Sequence, residues 1–207
     1  MNPPSLTKKG QKEAIRLYQS GLSAKQTADT LGVSIGAVYY PLRRYKIQRR
    51  SAVESNRIRF EATPLSYSIK TQLSESEKEL KLAGTMLYWA EGYKIGQSID
   101  FANSDPAMAS IFIKFLRTVC GVGEERIRCK LYCYEGQDVE KLLIFWSQLL
   151  LVPVNQFTRP FVTKSAPGPR GPRMIHGLIH ICYSDKRLLR EILLWINEYS
   201  KNLTRRW

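Results

Sequence analysis

Residues 23–38, Ser-Ala-Lys-Gln-Thr-Ala-Asp-Thr-Leu-Gly-Val-Ser-Ile-Gly-Ala-Val, constrain the fold of this chain more than any other segment. Ala28, Gly32 four positions on and Val38 six further on each have a steric task. Ala28 lets two helices cross closely, Gly32 takes the positive φ of a tight turn, and Val38 packs the second helix back onto the first. Ala14, Leu17 and Tyr18 share one face of a preceding helix, and with Leu31 and Val33 they complete a small core.

That spacing resembles the helix-turn-helix of site-specific recombinases and bacterial regulators over about residues 5–47. The resemblance implies double-stranded DNA as a partner. Ser34 would cap the recognition helix, so that Ser34, Ile35, Gly36, Ala37, Tyr39 and Tyr40 face the major groove, while Arg43, Arg44, Lys46, Arg49 and Arg50 meet phosphates. Pro41 predicts a kinked or short recognition helix, because it removes the amide that would bond the carbonyl of Ala37 and its ring crowds the preceding turn. The alternative reading of residues 1–50 is a three-helix unit that binds protein.

Charge favours a polyanionic partner. The formal net charge is +14 at pH 7, and residues 1–73 hold 13 Lys and Arg against four Asp and Glu, so nine of the net charges lie at the front. Nucleic acid and an anionic membrane surface both fit that balance. The longest apolar stretch, 142–154, is too short to span a bilayer and contains Ser147, Gln148 and Pro153. No apolar segment follows Met1 either, so the chain reads as intracellular and cytoplasmic, with no membrane partner. Four cysteines without a CxxC pair read as reduced core thiols.

The fold class expected is α+β, with a three-helix front domain over 1–50, a basic linker over 51–73 and a mixed α/β domain over 74–207. Periodicity lapses across the linker, which carries Arg57, Arg59 and Pro64, and only a short strand near 67–70 is expected there. Ser74-Glu75-Ser76-Glu77 reads as a capping box opening a helix that runs to about Gly92. Strands are expected at 98–103, 126–134, 157–164 and 174–183, with helices at 105–119, 137–150 and 185–202.

Residues 82–92 read Leu-Ala-Gly-Thr-Met-Leu-Tyr-Trp-Ala-Glu-Gly, and helical spacing places Ala83, Leu87 and Ala90 on a stripe beside Gly84, Tyr88 and Glu91. Glu91 falls at the C-terminal end of the helix, where the macrodipole disfavours an anion unless a cation or a metal stands nearby. This segment resembles the motif of the LAGLIDADG homing endonucleases. Aligned on Gly84 to Gly92, it matches Leu87, Ala90, Glu91 in place of Asp, and Gly92. Met86 stands where the family has a glycine, and the literal Leu-Ala-Gly lies two residues upstream. The resemblance covers about residues 75–203 and implies a LAGLIDADG-like domain with an antiparallel, DNA-facing sheet. It further implies a homodimer through the helix 75–92, and Mg²⁺ held by Glu91 from each copy at the scissile phosphates. Lys94 and Lys130 are the candidate catalytic cations beside Glu91, and Gln97 and Lys164 are further outer groups. The helix 137–150 and the very short strand after Glu91 depart from the family pattern.

Residues 126–134 alternate. Arg126, Arg128, Lys130, Tyr132 and Tyr134 fall on one side, and Ile127, Cys129, Leu131 and Cys133 on the other, which gives a strand with a buried face and a cationic, aromatic face. On a LAGLIDADG-like sheet that outer face would read the major groove. Lys164, Arg170 and Arg173 belong to a Pro/Gly/Arg loop suited to a phosphate backbone. His176 and His180 are expected about 13 Å apart on one strand at about 3.3 Å per residue, too far to share a metal, and Cys129 and Cys133 are equally separated. Three functions are consistent with this reading. A Mg²⁺-dependent site-specific endonuclease comes first, a non-catalytic DNA-binding regulator with a degenerate LAGLIDADG-like domain second, and a recombinase or transposase accessory protein third.

Overall fold

The computed structural model describes residues 6–164 and 174–205, and the chain divides into two compact units, Met1–Pro64 and Leu65–Trp207. Helices α1 (Lys8–Gln19), α2 (Ala24–Leu31), α3 (Ile35–Arg44) and α4 (Ala52–Ala62) belong to the first.

Local chemistry sets the helix ends. Thr7 caps α1, and Ser23 with Gln26 forms a reciprocal capping box on α2. Gly32 ends α2 in the left-handed region (φ 63°), and the Ser34 hydroxyl accepts from the Ala37 amide at 3.2 Å to start α3. The small core joins Tyr18, Ala24, Ala28, Val38 and Leu42, with Ile15, Val33, Tyr39 and Ile47 packed against it. Leu17 and Leu31, expected in that core, are only half-buried at its rim. Leu42 and Ile47 take their place because α3 does not stop at Pro41. The helix runs unbroken to Arg44 with the Pro41 ring buried. One amide is lost, but the following turn is intact: Tyr45 donates to the Pro41 carbonyl at 2.9 Å and Ile47 to that of Leu42 at 2.8 Å.

The segment expected as an irregular linker contains α4. Ser51 caps it, accepting from the Glu54 amide at 3.1 Å, and none of its residues is buried. The lapse in periodicity therefore marks a helix without a core face. Residues 66–70 belong to the second unit: Ser68 donates to the Gly121 carbonyl at 3.0 Å and Lys70 to that of Val119 at 2.9 Å.

The second unit comprises α5 (Glu75–Glu91), β1 (Ile99–Asn103), α6 (Pro106–Thr118), β2 (Ile127–Tyr134), α7 (Val139–Leu150), β3 (Phe161–Thr163), β4 (Leu178–Tyr183) and α8 (Lys186–Thr204). The sheet order is β1-β4-β2-β3. β4 runs antiparallel to both β1 and β2, but β3 runs parallel to β2. The sheet is thus mixed where an antiparallel one was expected, because α7 lies between β2 and β3 and supplies the crossover that a parallel pair requires. Before β1, Gly92 bridges Phe101, and the Tyr93 amide donates to the Asp100 carbonyl at 2.9 Å.

Ile99, Phe101, Ile127, Cys129, Leu131, Ile179 and Ile181 share one core with Tyr88, Phe112, Phe115, Trp146, Leu188 and Trp195 of the helices. Phe112 lies at its centre, stacked on Phe101 at 4.2 Å and on Tyr88 at 5.7 Å. Gly84 lets α5 approach α6 closely, since a Cβ there would lie 2.2 Å from Phe115 Cγ. The small residue on α5 is therefore occupied by a contact inside the chain. The four helices cover one sheet face. The alternate residues, among them Asp100, Arg128, Lys130, Tyr132, Tyr134 and His180, form the other.

Candidate nucleic-acid interface

On the first unit the outward side of α3 carries Ile35, Gly36, Tyr40, Arg43 and Arg44, all exposed, with Ala37 and Tyr39 half-buried beside them. Its geometry follows from the Ser34 cap and from Val38 and Leu42, which are fully buried and fix the opposite side in the core. Arg44 donates to the Tyr40 hydroxyl at 2.9 Å, and the Arg49 guanidinium lies 4.3 Å over the Tyr39 ring. Both contacts leave the cations at the surface and cut the rotamer freedom that binding would otherwise have to remove. Among the described residues, no carboxylate forms an ion pair with Arg43, Arg44, Lys46 or Arg49.

Arg50, expected to meet phosphate, is turned inward. Its guanidinium donates to the carbonyls of Gly21, at 2.9 Å, and of Leu22, and it stacks 4.2 Å over the Tyr18 ring. The Tyr18 hydroxyl in turn accepts from the Arg50 amide at 3.1 Å. Arg50 therefore fastens the turn between α1 and α2 and is engaged in the fold.

On the second unit the alternation along β2 is as expected from the sequence, with Ile127, Cys129, Leu131 and Cys133 in the core. The cations on the opposite face are more constrained than a bare strand suggests. Arg126 lies in a 3₁₀ turn before the strand and donates to the Ser184 carbonyl at 2.6 Å. Arg128, exposed, donates to the Glu125 carbonyl at 2.6 Å. Lys130 lies 3.6 Å from Asp100 across the sheet. The outer side of β2 itself carries no acid, but strand pairing supplies one: β1 brings Asp100 opposite Cys182 on β4, which stands opposite Arg128 on β2.

Asp100 organises the centre of this face. One oxygen lies 2.7 Å from Nδ1 of His180 and the other 3.6 Å from Nζ of Lys130. Burial pushes its carboxyl up, but the hydrogen bond and charge of His180, joined by Lys130, outweigh burial and hold it below the usual carboxylate range. Cys182 stands nearby with its thiol pushed up to about 12 by burial and then by the Asp100 charge, so it is a neutral thiol at physiological pH. Tyr132 packs its ring 4.7 Å from His180 on one side and 5.2 Å from Phe161 on the other. Asp100, His180 and Phe161 were not among the expected site residues. The one sequence signal was the alternation Ile99-Asp100-Phe101-Ala102, which places Asp100 away from the core but names no partner.

Glu91 is exposed at the last position of α5. The cation that the helix end calls for is already there, since Lys94 Nζ donates to the Gly92 carbonyl at 2.9 Å. Lys130, expected beside Glu91 as a catalytic cation, is paired with Asp100. No group of three or more His, Cys, Asp or Glu able to hold a metal occurs among the described residues. His176 precedes β4, stacked 4.0 Å from the Phe145 ring, and all four cysteines are free and buried. Gln97 and Lys164 are exposed, while Arg170 and Arg173 lie outside the described residues. No helix among the described residues is long and apolar enough to cross a membrane.

Comparison with protein-family models, with curated proteins and with solved structures returns no match for this chain.

Proposed function

We propose that this chain is a double-stranded DNA-binding protein of the regulator kind, reading DNA with the outward side of α3. The observation that carries the proposal is that side itself. Ile35 stands exposed in the first turn and Tyr40 one turn before the exposed Arg43 and Arg44, on a helix whose opposite side is locked by Val38 and Leu42. Apolar and hydroxyl groups can meet base edges there while the arginines meet phosphates, the division of labour that a groove-seated helix needs. The open sheet face of the second unit supplies a second candidate contact surface through Arg128, Lys130 and Tyr132.

The test is selection from a randomised duplex library, followed by fluorescence anisotropy on the enriched pool. Binding that weakens steeply with salt, and weakens again in Arg43→Ala/Arg44→Ala with the melting temperature unchanged, is the expected result. No enrichment, or equal affinity in the double variant, overturns the reading.

A second reading, a LAGLIDADG-like endonuclease acting as a homodimer, is favoured by one feature of α5. Leu82 and Trp89, each about two-fifths exposed, share a helical stripe with half-buried Met86, next to exposed Ala90 and Glu91. A second copy seated on that stripe would bring two Glu91 carboxylates toward each other, and with DNA phosphates they could hold Mg²⁺, which supplies Lewis-acid chemistry at phosphorus. Strand cuts that need Mg²⁺, fail with Ca²⁺ and vanish in Glu91→Gln would establish it. Binding without any product at micromolar protein leaves the regulator.

A further inference from the structure

We infer that His180 is itself a DNA-contacting residue of the open sheet face, positioned by Asp100, and that it couples duplex affinity to uptake of a proton. The inference rests on the DNA-binding reading above. It begins with the bond between Asp100 Oδ1 and His180 Nδ1, 2.7 Å long, which places the proton of the neutral imidazole on Nδ1 and makes Nε2 the free acceptor. Nε2 has no hydrogen-bond partner among the described residues, and it is not a buried orphan. The side chain, about one-fifth exposed, is therefore tied at one nitrogen and open to a ligand at the other.

The charges around it decide what that ligand is. From β1 Asp100 reaches His180 diagonally, from β2 Lys130 stands opposite it and Tyr132 packs on its ring, and on its own strand it has the neutral thiol of Cys182 two residues on. Arg128 stands opposite that cysteine. The Asp100 carboxylate already has Lys130 as its counter-charge, so a proton arriving on Nε2 adds one positive charge to the face and turns the only free acceptor of the ring into a donor. Phosphate oxygens are acceptors without a donor of their own, so a phosphate backbone laid on this face bonds the imidazolium and not the neutral ring. Tyr132, held between His180 and Phe161, keeps the ring from turning away. Proton balance is simple: one proton moves from solvent to Nε2 as the duplex binds, and no covalent bond changes.

The experiment uses the full chain and a fluorescein-labelled duplex pool enriched at neutral pH, with anisotropy read at constant ionic strength from about pH 8 to about pH 6. One linked proton predicts that Kd falls by roughly fivefold or more between about pH 8 and pH 6, within the tenfold per pH unit that a single proton allows. His180→Gln keeps a polar side chain of similar length and should bind with a flat profile, and Asp100→Asn should reduce the gain at low pH because the imidazolium loses its carboxylate. A second readout does not depend on variants folding. The chain has only two histidines, so the imidazole proton resonances of His176 and His180 are separable by NMR, and added duplex should shift those of His180 alone. A pH-dependent gain that survives His180→Gln, or His180 resonances untouched by duplex, overturns the inference while leaving DNA binding intact. A chain that enriches no duplex at any pH overturns both.

Discussion

In the first unit, Arg43 and Arg44 project from the last turn of α3 with no acidic partner among the described residues, and Arg49 lies on an aromatic ring. In the second, Arg117 is clamped by Glu124 and by the carbonyls of Leu150 and Leu151, Arg187 pairs with buried Asp185, and Lys130 pairs with Asp100. The cores differ in the same direction. One joins Tyr18, Val38 and Leu42 to alanines, while the other stacks Tyr88, Phe101, Phe112 and Phe115 between a sheet and four helices. A count of positive charges therefore overstates what the second unit offers a phosphate backbone. Many of its cations stabilise turns and helix ends, whereas among the described residues Arg43 and Arg44 of α3 form no ion pair, the first unit having few carboxylates to offer them.

Four measurements can break or sharpen that contrast. The largest effect belongs to the large core. Phe112→Ala removes the ring stacked between Phe101 and Tyr88 and should cost about 3–5 kcal/mol, read as a lower midpoint for the second unit in urea melts followed by tryptophan fluorescence. All four tryptophans lie at or beyond position 89, so this signal reports on the second unit alone. A loss below about 1 kcal/mol would mean that this core is looser than its packing indicates.

Arg50→Met is next. It keeps an apolar stem against Tyr18 but removes the donors to Gly21 and Leu22, and should destabilise the first unit by about 1–3 kcal/mol, read by amide exchange in α1 and α2. If the variant instead leaves exchange unchanged and weakens DNA binding, Arg50 is a phosphate contact after all.

Smaller is the acid sensitivity of the second unit. Asp185 caps α8 and accepts from Ser66, and although burial pushes its carboxyl up, its bonds to Arg187 and Ser66 hold it below the ordinary value. A carboxyl depressed in the folded state contributes stability above its unfolded value of about 3.9 and loses it as pH falls through the folded value. Asp100 titrates with the same sign. Stability of the second unit should accordingly drop below about pH 4, and Asp185→Asn should flatten part of that drop. An unchanged acid limb in Asp185→Asn would assign it to other groups.

The smallest effect on stability, and the one most diagnostic of function, comes from α3. Arg43→Ala and Arg44→Ala should each change folding stability by no more than about 0.5 kcal/mol while lowering the salt slope of DNA binding by about one. A slope that stays constant would detach this face from phosphate contact.

Much of the local structure was legible in residue order because capping and glycine conformation act over three or four positions. Ser34, Gly32 and the Ser74–Glu77 box are examples, and the alternation along β2 needed only its period of two. Two features were harder to read. Pro41 pointed to a kinked or short α3, and the tertiary contacts of Val38 and Leu42 carry the helix past the missing amide to Arg44. Residues 52–62 lacked a hydrophobic face and so looked irregular, although a Ser51 cap is enough to start a helix there.

By itself, then, the sequence determined the caps and the glycine turn that join α2 to α3, the excess of positive charge at the front, and which side of β2 faces the core. Tertiary structure alone decided which charges are free. It turned Arg50 inward, paired Lys130 with Asp100, and brought Asp100 to His180 across 80 residues of chain. The physical reason is range. A cap or a period is settled among neighbours, but the availability of a charge depends on whatever the fold places within a few ångströms of it, and strand pairing chooses that from anywhere in the chain.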